Sequence, residues 1–203
     1  MATTTKTISL SGSVEIVREF FEFSINSILY QRGIYPPETF KRVAKYGLGM
    51  MVSTDEGLRE YLGQVTRQLD SWLTSADVQR LVLVVTGVDS KKPLERWVFA
   101  VKTDLGGGGK ENSTNAGPKS QKDITAEIQA IIRQITASVT FLPLLTEPCA
   151  FDLLVYTKKS SSVPSTWEDT DPLHIANGTE VKLRSFTTTI HNIDAAVSYA
   201  PED

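Results

Sequence analysis

Between Ser11 and Arg32 the chain reads SGSVEIVREFFEFSINSILYQR, and this stretch limits the possible folds more than any other. At helical spacing Val14, Val17, Phe21, Ile25, Ile28 and Leu29 form one wide apolar face, which Ile16, Phe20 and Phe23 extend. Only Glu15, Arg18, Glu19 and Glu22 remain as a charged stripe, and a helix with so little polar surface must be enclosed by other elements. Ser11 or Ser13 is expected to cap its start and Gly33 to end it, and Pro36-Pro37 forbids its continuation. With 203 residues, 40% of them hydrophobic and 22% charged, the chain has material for one good-sized core around this helix. A single domain over residues 1–203 is expected.

A second helix is expected from Ser53 or Thr54, with Asp55 and Glu56 as acids in its first turn. Leu58, Leu62, Val65, Leu69 and Trp72, joined by Tyr61 and Leu73, give it one apolar face. A third starts at Ser120, which forms a capping-box pattern with Asp123, and carries Ile124, Ile128, Ile131, Ile135 and Val139 at helical spacing. Strand signals lie in two short pieces between Thr39 and Val52, broken at Gly47 and Gly49, and in VQRLVLVV and ERWVFAV, separated by the hairpin-like TGVDSKKPL. CAFDLLVYT, from Cys149 to Thr157, reads as another strand, and the unbroken apolar run from Leu81 to Val85 predicts burial on both faces. The expected class is therefore α+β, a largely antiparallel central sheet with three helices packed on it.

Two segments stand apart. Asp104 to Lys119, with four consecutive glycines, reads as a flexible surface loop. Near the C-terminus, VKLRSFTTTIHNIDAAVSY alternates with Val181, Leu183 and Ser185 in one phase, then moves its apolar residues to the other phase from Phe186 through Thr188 and Ile190. Such a slip exchanges the two faces of a strand, and its simplest structural form is a bulge.

The composition and motifs exclude several functions. A net charge of −3 gives no basic surface for nucleic acid, and no apolar run approaches the ~20 residues that span a bilayer. A single cysteine excludes an internal disulfide, and MATTTKTISLSGS lacks the apolar centre of a secretory signal, so a reducing compartment, cytosol or nucleus, is expected. The sequon at Asn112 is then without consequence, and that at Asn177 reads as a turn. GGGGKEN fails as a phosphate loop because Glu111, not a hydroxyl, follows Lys110. His174 and His191 lack metal-ligand spacing, and Cys149, just ahead of an apolar strand, reads as a small buried hydrophobe. Whether a histidine stands beside that thiol is a question of space, not of sequence. No enzyme, metal or cofactor is expected. Trp72 and Trp97 sit at core phases, whereas Trp167, in a polar segment, must fold back onto the body or meet a partner. Arg133 and Gln134 lie off the isoleucine stripe and by composition read as a solvated face.

Taken together, GSVEIVREFFEFSINSILYQRGIYPPETF, YGL, LERWVF, IRQITASVTFLPLL, FDLLVYT and VKLRSFTTTIH resemble, over almost the whole chain, the HORMA-domain family in its spindle-checkpoint branch. RQITASVTFLPLL and LRSFTTTIH separate that branch from HORMA adaptors of meiotic chromosome axes and translesion DNA synthesis, which form the alternative. Departures fall in the N-terminal arm, the Gly-rich insertion and the APED end.

The resemblance implies a non-enzymatic adaptor with a core over 1–157 and a mobile safety belt with C-terminal strands over 158–203. Such proteins add a short extended peptide to a sheet edge and close the belt over it. The implied partners are a coiled-coil checkpoint scaffold at kinetochores and the coactivator of the anaphase-promoting complex, whose capture delays anaphase. The implied places of action are nucleus, kinetochore and cytoplasm, with neither nucleic acid nor membrane as a partner. On this resemblance Phe151, Leu153, Val155, Tyr156, Trp167, Val181 and Leu183 are the peptide-binding candidates. Arg133, Gln134 and Phe141 match positions through which open and closed copies dimerise, and Leu10, Val197 and Tyr199 match positions of the conformational switch.

Overall fold

The computed structural model describes residues 8–106 and 119–201. In chain order the elements are α1 (Leu10–Gln31), β1 (Phe40–Lys45), β2 (Leu48–Ser53), α2 (Glu56–Thr74), β3 (Val78–Gly87), β4 (Pro93–Thr103), α3 (Gln121–Ala137), β5 (Cys149–Thr157), β6 (Thr179–Thr187) and β7 (His191–Tyr199). Every strand pairing is antiparallel: β1 and β2 form a separate ribbon, and the other five form one sheet in the order β5-β3-β4-β7-β6. Most of the Gly-rich stretch, residues 107–118 with the Asn112 sequon, lies outside the described residues.

The enclosed helix forms as its pattern requires, with Val17, Phe20, Phe21, Ile25, Ile28 and Leu29 at 0% exposure. Its cap differs from the expected one. Ser9, not Ser11 or Ser13, accepts the Gly12 N–H at 3.1 Å, and Ser13 is turned into the core instead. At α2 the cap is Asp55, whose Oδ1 accepts the Leu58 N–H at 2.7 Å, because Ser53 is still occupied as the last residue of β2. The α3 cap is as expected, Ser120 accepting the Asp123 N–H and donating to its carboxylate. Val139 leaves the isoleucine stripe and is 42% exposed, since the helix tightens into a 3-10 turn at Ser138 and the phase is lost. Between β1 and β2 the turn is made by Tyr46 and Gly47, both with positive φ, which matches the twist of the flanking strands, whereas Gly49 continues β2.

All three helices pack on one face of the sheet. There Leu83, Trp97, Phe99, Phe186 and Val197 meet the apolar side of α1 and α3. The other face carries a small cluster of Val82, Val84 and Leu154, over which Leu173 folds. This is why Leu81 to Val85 is fully buried although β3 lies next to the sheet's end.

The C-terminal stretch is not one strand but a hairpin, β6 and β7 reversing over residues 188–190. The ladder is shifted by one residue between Lys182 and Ser185, so the phase slip is a bulge. It turns Phe186 inward to 0% exposure, 4.8 Å from the Phe20 ring. At the reversal, Ser13 Oγ lies 2.6 Å from both Thr188 Oγ1 and His191 Nδ1, fastening the hairpin to the first turns of α1. Burial pushes the His191 imidazole below its ordinary value, so it docks in the neutral form.

Candidate peptide-binding site

The sheet has two ends and they are finished differently. At one end, α3 lies along β6. At the other, β5 pairs with β3 on its inner side and carries no strand on its outer side among the described residues. An unpartnered strand edge presents a row of backbone donors and acceptors that another extended chain can use.

Side chains of β5 alternate between the two faces. Phe151, Leu153 and Val155 belong to the helix side, where Phe151 meets Tyr35 and Tyr61 edge-on at 6.2 and 6.0 Å. Tyr156 belongs to the opposite face, its hydroxyl accepting from Arg96 Nη2 at 3.1 Å. Residues 158–178 then pass around this edge from one face to the other. The Lys158 N–H bonds the Asp77 carbonyl, Trp72 Nε1 donates to the Ser162 carbonyl at 3.0 Å, and Trp167 stands edge-on to Trp72 at 5.0 Å. Beyond that the segment reaches the other face, where Arg96 Nε donates to the Pro172 carbonyl at 3.2 Å and Leu173 covers Val82 and Val84. Between strand and strap lies a cleft of about 300 Å³, lined on one side by Leu153, Val155 and Tyr156 and on the other by Trp167, Glu168, Asp169 and Asp171. Its strap side is acidic.

Five of the seven expected peptide-binding residues, Phe151, Leu153, Val155, Tyr156 and Trp167, are thus brought together at one edge. Val181 and Leu183 are not: they sit in β6, with β3, β4 and β7 between them and β5. The register of a tail strand says nothing about which strand it joins, so their apolar phase could not place them. Trp167 folds back onto the body. Trp72, Tyr61, Arg96 and Leu173 also pack at this edge, and the sequence does not mark them as binding residues. The first two look like ordinary residues of a helical stripe, whereas Leu173, a lone leucine in DTDPLHIAN, carries the same signal as Trp167.

The other expected groups lie away from that edge. Arg133 is exposed, and Gln134 is half-buried against β6. Phe141, 41% exposed, lies 6.3 Å from the Tyr199 ring, so an expected dimerisation residue touches an expected switch residue. Val197 is fully buried opposite Trp97, while Leu10 opens α1 near the other end of the hairpin.

Cys149 and His191 lie at opposite ends of the sheet, since Cys149 is paired with Gly87 near Pro93 and His191 with Thr103, ten residues of β4 or roughly 33 Å apart. Burial, with Glu147 and Glu95 nearby, pushes the thiol up and away from a thiolate. Among the described residues no group of three His, Cys, Asp or Glu is placed to hold a metal, and no helix is long and apolar enough to cross a membrane.

Residues 13–191 match the model of the HORMA domain. The chain belongs to the HORMA-domain family. Within that family it is 58% identical over 192 residues to the mitotic spindle assembly checkpoint protein MAD2A of Dictyostelium discoideum, covering 95% of this chain and 93% of that protein. It is 54% identical over 194 residues to MAD2A of Homo sapiens, with 95% and 92% covered. Among solved structures, a chain of the mitotic checkpoint complex superposes with a TM-score of 0.84 at 46% identity, over 94% of this chain and 100% of that one. A Caenorhabditis elegans HTP-2 structure with a bound HIM-3 closure motif matches with a TM-score of 0.74 at 14% identity, over 98% of both chains, a likeness of HORMA fold alone. The identities place this HORMA domain in the spindle-checkpoint branch, ahead of the meiotic or translesion alternative.

Proposed function

We propose that the chain is a spindle checkpoint adaptor that takes a short extended peptide as a sixth strand on β5 and holds it under residues 158–178. The observation that carries this is the unpartnered outer side of β5, spanned by a strap that is fastened on both faces of the sheet. Main-chain bonds along β5 supply affinity and the alternating pockets beside Leu153, Val155 and Tyr156 supply selectivity. The acids Glu168, Asp169 and Asp171 favour a basic residue in the ligand. A strap tied at both ends must detach before the peptide can leave, so affinity resides in the off-rate. The partners proposed are a coiled-coil scaffold at kinetochores and the coactivator of the anaphase-promoting complex, met in nucleus and cytoplasm, with capture of the coactivator restraining anaphase.

The C-terminal hairpin lies on β4 and the strap passes around β5; Leu10, Val197 and Tyr199 are proposed to act in leaving this arrangement. Arg133, Gln134 and Phe141 are proposed to form the face on which an open and a closed copy meet.

The test is a labelled peptide with a basic residue, two aliphatics and a downstream proline, bound to the chain and to Trp167→Ala. Loss of the half-buried Trp167 and its Trp72 contact is expected to speed release about 30-fold, the scale of an interface hot spot, with association nearly unchanged. Equal release from both proteins would contradict the strap mechanism.

A further inference from the structure

The outer edge of β6 is closed by side chains, and this assigns a task to α3 beyond any contact with a second copy. The Arg184 N–H donates to Gln134 Oε1 at 2.6 Å, and the Thr187 N–H donates to Glu127 Oε2 at 3.1 Å. Lys119 steadies the second acceptor, bonding Glu127 and, at 2.7 Å, Thr187 Oγ1. The two spacings agree. Glu127 and Gln134 are seven residues apart, on one side of a helix and about 10.5 Å apart along it. Arg184 and Thr187 are three residues apart in an extended strand, about 10 Å.

In a regular strand, N–H groups separated by an odd number of residues point to opposite edges. Arg184 and Thr187 face the same helix only because the bulge between Lys182 and Ser185 shifts the phase between them. A C-terminal segment without that bulge cannot satisfy both acceptors.

We infer that Gln134 and Glu127 are positioning residues that recognise the bulged register of β6 and hold the C-terminal hairpin docked. Gln134 then links two events. It fixes the hairpin in the arrangement with the strap around β5, and it stands beside Arg133 on the face proposed for dimerisation. The link to switching rests on the function proposed above, but the hydrogen bonds do not.

The experiment is amide hydrogen exchange read by NMR on the full chain at dilutions where it is monomeric. Gln134→Ala is expected to speed exchange of the Arg184 amide about five- to tenfold, the loss of one hydrogen bond at the surface. Gln134→Glu, which keeps an acceptor at the same reach, is expected to restore protection, and Arg133→Ala to leave it unchanged. Glu127→Ala acts likewise on the Thr187 amide. Unchanged Arg184 exchange in Gln134→Ala, or failure of Gln134→Glu to restore it, overturns the inference. Peptide retention by the unaltered chain is measured in parallel, so that a failure of the proposed function registers separately.

Discussion

Replacing Phe186 with alanine is expected to shift the chain out of the arrangement described here by about two to four decades in population. The ring is fully buried against Phe20 in the main core, and it belongs to β6, the strand at the sheet's end. Truncating a buried phenylalanine costs about 3–5 kcal/mol. In the switch proposed above the two packings differ by only a few kcal/mol, so a loss of this size in the one described reverses their order. At 1.36 kcal/mol per decade, the conversion is direct. On an ion exchanger the variant should move into a second, slowly interconverting species and retain the labelled peptide poorly. A single species that is merely less stable, and still retains the peptide, would show that docking of β6 does not distinguish the two states.

The second large effect is expected at Arg32. Its guanidinium donates from Nε to Glu95 at 2.6 Å and from Nη2 to the Pro143 carbonyl, with side chains 6% and 2% exposed for Arg32 and Glu95. Glu95 also accepts from Trp97 Nε1 at 3.1 Å. Removing one member leaves the other charge buried without its partner, a loss of about 3–5 kcal/mol. For a chain of this size that lowers Tm by roughly 6–20 °C. Arg32→Ala should therefore melt far earlier in calorimetry than the double variant Arg32→Met with Glu95→Leu, in which neither charge remains. Equal melting of single and double variants would mean that the pair is solvated and contributes little.

How much of this was legible in the sequence depended on the range of the signal. Enclosure of α1, most of the apolar faces of α2 and α3 and the double burial of β3 are local patterns that the sequence shows, whereas Tyr61 and Val139 at the margins of those faces are exposed. The α1 cap is Ser9 and not Ser11 or Ser13, because a short hydroxyl side chain occurs at each of these positions and packing draws Ser13 inward. Strand order is not local. Nothing in VKLRSF says that it joins β7 and not β5, and the resemblance groups Val181 and Leu183 with residues at the opposite end of the sheet. The phase slip at Ser185 was visible, but its partner, the acceptor pair on α3, was hidden because Gln134 and Glu127 look like any solvated polar residues. Most of the candidate site was reached through resemblance. Physical reasoning alone singled out Trp167, a tryptophan with no local reason to be buried.

The most direct test of strand addition is backbone amide exchange across Cys149–Thr157 with and without the peptide. Protection gained along β5 and in residues 158–178, with β6 unchanged, is the expected result. Protection gained on α3 or β6 while β5 exchanges as before would contradict it.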